Sequence, residues 1–451
     1  MSSTGINLGS LGATNSLGGL GAGINVQAFV QAALTGPENQ VQTLQNEQTT
    51  FSSQAAALQK IQSDLANLQT AEQALSDPFG DLNSQTASSS NSAVLAAAAD
   101  GTATAGVHSI AVNSLATTSS YYTNALASGT TPLATGTFKL QVGSKTPVTI
   151  TIDSTDNTLN GLAAAINNQN AGVTASVVND ASGARLALVS NQTGAAGDLT
   201  VSTNTSGLTF TKAVTGADAS LTVDGIPITS GTDTVTGVIP GVTLTLNSAS
   251  NSPVALTVGS DTGAATNAIN NFVSAYNQAI TDINAQFNVN SDGSGGGPLE
   301  ADGTLRDAQS QLLSALSFSL SGNNGIVNLA SLGINLNDDG TLSVDSGTLQ
   351  STLQNNYAAV QNFFQNTTTG FAQNLDTTLT NLNAAGTGAL SLDAQGITQT
   401  QEDLASQINE LNANILTQQQ SLTQTYSQVN VTLQELPLLI QQITAQLGSL
   451  A

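Results

Sequence analysis

Few side chains in this sequence could carry chemistry, and their spacing limits what that chemistry could be. The chain has 451 residues with one histidine and no cysteine. Any Ser-His pair or metal-bound imidazole must therefore use His108. That residue falls on the alternating segment Val107-His-Ser-Ile110-Ala-Val112, and no Gly-x-Ser-x-Gly sequence supplies a nucleophile. A structural or surface role is expected of it. Asn335-Leu-Asn337-Asp338-Asp339-Gly340 has the front of a calcium loop. Its twelfth position, however, is Ser346, where a bidentate glutamate is required, so a hairpin turn is expected. The loop Ser291-Asp-Gly-Ser-Gly-Gly-Gly297 lacks a lysine after its glycines and does not read as a phosphate cradle. Asp153 and Asp156 read as solvated charge. No catalytic residue, metal or cofactor is assigned, and the chain does not read as an enzyme.

Composition narrows the partners. Charged residues make up 8% of the chain, against about 25% in a typical soluble domain. Six are basic (Lys60, Lys139, Lys145, Arg185, Lys212 and Arg306) against 29 acidic, giving a net charge of −23. A nucleic-acid partner needs clustered Lys or Arg and is excluded; anionic membrane surfaces are disfavoured for the same reason. No stretch reaches the ~18 apolar residues of a membrane span, so membrane insertion is not expected. The N-terminal Met1–Gly23 has no positive charge and no continuous apolar core. It is not a Sec-type signal, which leaves a cytoplasmic protein or one exported by a route that reads a polar leader. A hydrophobic fraction of 39% is enough for a core.

The elements around these residues follow two grammars. Val26, Phe29, Val30, Ala33 and Leu34 have helical spacing behind a possible cap at Asn25, and Thr35-Gly36-Pro37 reads as a break. A long helix then runs to Asp77, where Pro78 ends it. From about 84 to 260 the period becomes two, as in Phe138-Lys-Leu140-Gln-Val142 and Val242-Thr-Leu244-Thr-Leu246. One helical insertion, Leu159–Asn167, interrupts the strands. Helical spacing returns at Ala264, with further helices expected at Thr304–Ser319, Gly347–Phe364 and Phe371–Leu382. The expected fold class is α+β, with long terminal helices forming a coiled-coil stalk or helical bundle and β-rich head domains inserted between them. The expected division is 1–40, a flexible terminal segment with a short helix; 41–83, the N-terminal stalk helix; and 84–130 with 213–260, a head module. An inserted head module, 131–212, a helical bundle, 261–385, and a C-terminal coiled coil, 386–451, complete it.

The terminal stripes carry the positive signal. Ile408, Ile415, Leu422, Val429, Leu436 and Ile443 recur every seven residues. Leu404 and Leu411 start a second column, which resumes one position later as Tyr426, Leu433, Ile440 and Leu447. Pro437 is expected to kink or end the first stretch near Gln434. The seam, residues 402–447, would be about 69 Å long at ~1.5 Å per residue. Its apolar stripe fits either an intramolecular bundle or packing between chains, and its length favours the second. Candidate oligomer or filament contacts are Val41, Leu44, Phe51, Leu58, Leu65, Leu404, Ile408, Leu411, Ile415, Leu422, Val429, Leu433, Leu436, Ile440 and Ile443. Gly/Ser breaks at 35–36 and 383–400 are candidate hinges.

The ordered set of segments resembles the flagellar filament-capping (hook-associated protein 2) family. The matching pieces are Gly19-Leu-Gly-Ala-Gly-Ile-Asn25, Leu75-Ser-Asp-Pro-Phe79, Ala105–Ala116, Val223-Asp-Gly-Ile226, Ile239–Leu246, Phe272–Asn277, Leu332-Gly-Ile334 and Gly340–Asp345. Residues 148–201 resemble the flagellin hook insertion motif, through Asn157-Thr-Leu, Ala165-Ile-Asn167, Val173–Ser176, Leu186–Ser190 and Thr193-Gly194. The resemblance implies a secreted, homo-oligomeric ring, often pentameric, at the flagellum tip. It would promote folding and insertion of exported flagellin and prevent its leakage. The implied partners are its own copies, flagellin and the filament end, hook-associated junction proteins and a flagellar type III export chaperone. A surface adhesin acting through the β head, or another axial protein such as a junction protein or flagellin, is the alternative.

Overall fold

The computed structural model describes residues 25–288 and 295–448. The polar leader, most of the Ser291–Gly297 loop and the side chain of Leu447 lie outside the described residues. The leg opens with α1 (Val26–Ser76), whose N-cap Asn25 accepts a hydrogen bond from Ala28 N at 3.1 Å. The expected break at Thr35-Gly36-Pro37 does not occur; α1 runs through it as one helix of 51 residues. Pro37 costs the helix one bond, at the Ala33 carbonyl, but Val30, Leu34 and Val41 on either side are buried and hold the axis. Asp77 ends α1 before Pro78, with its N–H on Gln73 O at 2.9 Å.

The strands of the head are β1 (Gln85–Ser89), β2 (Leu95–Ala99), β3 (Gly106–Ser114), β4 (Thr118–Thr123), β5 (Gly136–Val142) and β6 (Val148–Ile152). After α2 (Leu159–Asn168) come β7 (Val173–Asp180), β8 (Gly183–Thr193), β9 (Leu199–Ser202) and β10 (Phe210–Val214). The last are β11 (Ala219–Val223), β12 (Ile226–Ser230), β13 (Thr234–Ile239), β14 (Val242–Leu246) and β15 (Val254–Ser260). They make two cores. The first joins a five-stranded sheet, β1-β15-β3-β11-β12, to a three-stranded one, β13-β14-β2, around Ile110, Val112, Leu221, Leu244 and Leu256. The second joins β10-β4-β8-β7 to β6-β5-β9 with α2 against them, around Phe138, Leu140, Leu162, Ile166, Leu186 and Leu188. All strand pairs are antiparallel, and alternate residues enter the cores, as period two requires. β4 pairs with β8 and β10, so the chain crosses into the second core near Thr117 and returns near Gly216.

Asp261 caps α3 (Thr262–Phe287) and returns the chain to the leg. There follow α4 (Gly303–Leu316), the hairpin β16 (Ile334–Leu336) and β17 (Leu342–Val344), α5 (Ser346–Asn355), α6 (Tyr357–Gln365), α7 (Phe371–Asn383) and α8 (Ala389–Gly448). The expected single helix over 347–364 is two helices. Asn356, at φ −134°, leaves the helical region and accepts from Asn324 Nδ2 at 3.2 Å, which lets α6 turn Val360, Phe363 and Phe364 into the core. The expected turn at Asn335–Gly340 is present. Gly340 takes φ +82°, and Asp339 Oδ1 accepts from Thr341 N and Oγ1. The leg core joins Leu58, Ile61, Leu65 and Leu68 of α1 to Phe272, Tyr276, Phe363, Phe371, Leu375 and Leu390. Phe272, Phe363, Phe364 and Phe371 meet ring to ring there.

α8 corrects two further expectations. It continues through Pro437 as one helix of 60 residues, although the proline removes the bond to the Leu433 carbonyl, a local cost of about 3 kcal/mol. It also begins at Ala389, so most of the proposed 383–400 hinge is helix, and the irregular part shrinks to Ala384–Gly388. With residues 35–36 inside α1, neither hinge stands as expected.

Candidate assembly interface

The two terminal helices lie against each other. Phe29 and Tyr426 rings are 5.7 Å apart, and Gln401 Nε2 donates to Ser52 Oγ at 3.3 Å. Moving up α1 therefore moves down α8, so the pair is antiparallel. The candidate seam residues separate by height along it. Leu58 and Leu65 are fully buried in the chain's own leg core, and Val41, Leu404 and Ile408 are also buried. Phe51 is half-buried against that core, and Leu44, Leu411, Ile415, Leu422 and Leu433 are half-buried along the helices. Val429, Leu436, Ile440 and Ile443 are exposed, the last two by 54% and 51%. Near the bundle the stripe thus closes on itself within one chain, and towards the C-terminus it does not.

The register locates the change. Phe29 beside Tyr426 places Val26, where α1 starts, beside about residue 429. From there α8 continues for roughly 20 residues, about 30 Å at 1.5 Å per residue. This tail exposes Val431, Leu438 and Leu439, which periodicity did not single out, alongside Ile440 and Ile443. They form a run of apolar side chains with no packing partner among the described residues. The signal available in the sequence was the unbroken Leu436-Pro-Leu-Leu-Ile440 cluster, too dense for a two-column seam. The tail has one charged residue, Glu435, and so gives a partner almost nothing to recognise by charge.

Elsewhere the expected chemistry is used up in structure. His108 Nδ1 lies 2.7 Å from Asp224 Oδ2, while Ser109 N donates to Asp224 Oδ1 at 2.8 Å. Those two hydrogen bonds hold the Asp224 carboxyl below its usual range and pin the β11–β12 turn to β3. Asp153 accepts from Thr155 N and Oγ1, a local turn. Lys60 bridges Asp64, at 3.2 Å, and Asp282, joining α1 to α3. Among the described residues no three His, Asp or Glu side chains gather as metal ligands, and no helix is long and apolar enough to cross a membrane.

A leg of antiparallel terminal helices, a β head of two nested modules and a stripe left open at the tail define a structural assembly protein. The comparisons place it more closely. Residues 22–119 match the model of the flagellar hook-associated protein 2 N-terminus, 216–437 that of its C-terminus, and 137–192 that of the flagellin hook IN motif. The B-type flagellar hook-associated protein 2 of Pseudomonas aeruginosa is 30% identical, covering 91% of this chain and 92% of that one. The flagellar hook-associated protein 2 of Escherichia coli is 28% identical over 92% and 94%. The crystal structure of the D1-D2-D3 domains of the Escherichia coli flagellar cap protein FliD superposes with a TM-score of 0.55 at 30% identity, covering 76% of this chain and 99% of that one. The chain belongs to the flagellar hook-associated protein 2 family.

Proposed function

We propose that this protein caps the distal end of a bacterial flagellar filament, where it promotes folding and insertion of exported flagellin and prevents its loss. Family membership supports the cap over an adhesin or another axial component. The observation that carries the mechanism is the open apolar stripe on the last 20 or so residues of α8, on a helix whose other end is anchored in the leg core. The anchored end fixes the direction of the helix, and the free end offers apolar surface that no other described residue of the chain covers, available to another chain or the filament end. Val429, Leu436, Ile440 and Ile443 are the contact residues of this reading; Leu58 and Leu65 serve the chain's own fold. The cap works as a homo-oligomeric ring, a pentamer by family resemblance. Flagellin, the junction proteins of the hook and an export chaperone are its further partners, and no catalytic step is involved.

The working units of this reading are a leg, 25–83 with 261–448, an outer head module, 84–116 with 215–260, and an inner module, 117–214. A strain deleted for the gene, complemented by the full chain or by a chain ending at Gln428, tests the proposal. Flagellin in the medium and loss of swarming are expected in the deletion and in the truncated strain. Normal filaments and no leaked flagellin without the protein would refute capping.

A further inference from the structure

The turn that joins the leg to the head holds an aromatic ring out in solvent. Phe79 is 94% exposed, the highest value of any large apolar side chain among the described residues. Its backbone is not free to swing the ring away. Phe79 N donates to Asp77 Oδ1 at 2.8 Å, and Gly80 N donates to Asp77 O at 3.0 Å. The same Asp77 carbonyl accepts from Gln365 Nε2 at 3.1 Å and from Asn83 Nδ2 at 3.3 Å. A turn pinned in this way loses little conformational entropy when its aromatic side chain is buried against a partner. The other half of the contact lies on the same leg. A groove of about 630 Å³ opens between residues 318–321 and the start of α7. None of the described residues lining it is charged. Phe318 and Leu320, half-buried against the leg core, are its apolar part, and Thr369, Asn374 and Thr377 are exposed along it. The Phe318 ring is 5.8 Å from that of Phe363 and 6.1 Å from that of Phe371, so an incoming ring extends an existing aromatic cluster. Groove and ring stand at nearly one height. Gln69 Nε2 donates to Asp376 Oδ1 and Asn383 Nδ2 donates to Gln62 O, so α7 runs down α1 and places the groove beside about the last two turns of α1. Phe79, almost wholly exposed, does not enter the groove of its own chain.

We infer that Phe79 of one copy seats in the groove of the next. Ring and groove are different surfaces of one chain at one height along the leg, which makes the contact heterologous. Repeated by rotation about an axis parallel to the legs, such a contact closes a ring. Neither side of it is charged, so chains of net charge −23 meet here without needing an ion pair. The α8 stripe begins at the other end of α1, a helix of 51 residues, about 75 Å away at ~1.5 Å per residue. The two contacts thus hold neighbouring legs at both ends. This inference rests on the homo-oligomeric reading above and adds a second interface to it.

Sedimentation velocity of the full chain over a concentration series tests the inference. Phe79→Ala removes an exposed ring, so the monomer Tm and helical circular dichroism should stay unchanged while self-association weakens by about 30-fold or more, the least expected of a hot-spot aromatic. Asn374→Glu sets a carboxylate in the groove, near the N-terminal end of α7 where it suits the helix, and should weaken association without unfolding the leg. The photoreactive p-benzoylphenylalanine at position 79 keeps an aromatic ring in place. Irradiating the associated protein should join it to residues 318–321 or 368–377 of another copy, as mass spectrometry on mixed isotope-labelled and unlabelled chains would show. Undiminished association in both variants, or cross-links that fall on other regions of the chain or on added flagellin, would overturn this contact and leave the homo-oligomer standing. A chain that associates at no concentration would overturn both.

Discussion

The open stripe on α8 can be tested by making it polar without touching the fold. Ile440 and Ile443 stand 54% and 51% exposed, one turn apart on the same face. Replacing both with serine removes no buried side chain, and serine matches isoleucine in helix propensity, so the subunit itself should be unaffected. Fully burying an isoleucine is worth about 1.5–3 kcal/mol, so burying the exposed half of each contributes roughly 0.75–1.5 kcal/mol at an interface. The double variant should therefore lose about 1.5–3 kcal/mol per tail, a weakening of roughly 10- to 150-fold. Sedimentation velocity over a concentration series measures the shift in self-association, and thermal unfolding under dissociating conditions checks that the monomer is intact. In cells the same variant should leak flagellin. Unchanged association together with an unchanged monomer Tm would refute the claim that this stripe is an assembly surface.

Two further outcomes follow from the leg and the head. Glu72 titrates higher in the folded chain, at about 8, than its ordinary 4.5. Its native form therefore binds the proton more tightly, and this stabilisation is fully present below pH 4.5 and disappears as pH rises through 8; urea unfolding at pH 5, 7 and 9 should show stability falling, with a flatter profile in Glu72→Gln. In the head, Gly194 sits at φ +82° where the two modules meet, and an added Cβ would lie 2.6 Å from Asp218 Oδ1 and 2.7 Å from Gly231 Cα. Gly194→Ala should lower head stability by more than about 1 kcal/mol and raise hydrogen exchange at Ala195 N, whose bond to Asp218 Oδ1 is 2.7 Å.

Much of this architecture was legible because periodicity reports burial on one face. Segments such as Val148–Ile152 and Val254–Val258 alternate cleanly and are strands, and Ile269, Phe272, Tyr276 and Ile280 share the buried face of α3. Periodicity fails where tertiary packing outvotes a local rule. Pro37 is a strong helix breaker in isolation, yet α1, packed on both sides of it, carries it; Pro437 is carried in the exposed tail of α8, where no packing among the described residues accounts for it. It also cannot say which chain covers a stripe. Leu58 and Ile443 belong to equally regular columns, one completely buried within the subunit and the other exposed. Only the antiparallel register of α1 and α8, which depends on contacts such as Phe29–Tyr426, separates them. The raised titration of Glu72 was invisible for a related reason: Asp376, whose charge adds to the effect of burial, is distant in sequence, and no motif joins them.

The charge balance predicts a salt response opposite in sign to that of an assembly held by ion pairs. Subunits held by ion pairs dissociate as salt rises, because screening removes an attraction. Here each chain carries −23, and none of the six basic residues lies beyond Arg306, so α8 has no cation to offer a neighbour. Copies brought together through their tails repel, and the apolar stripe must overcome that repulsion. Screening then removes a penalty. Raising NaCl from about 50 to 500 mM shortens the Debye length from roughly 14 to 4 Å and should strengthen self-association. Sedimentation across that range would show it, and an association that weakens with salt would mean that the subunits meet through the few ion-pairing residues of the head or leg instead of the α8 tail.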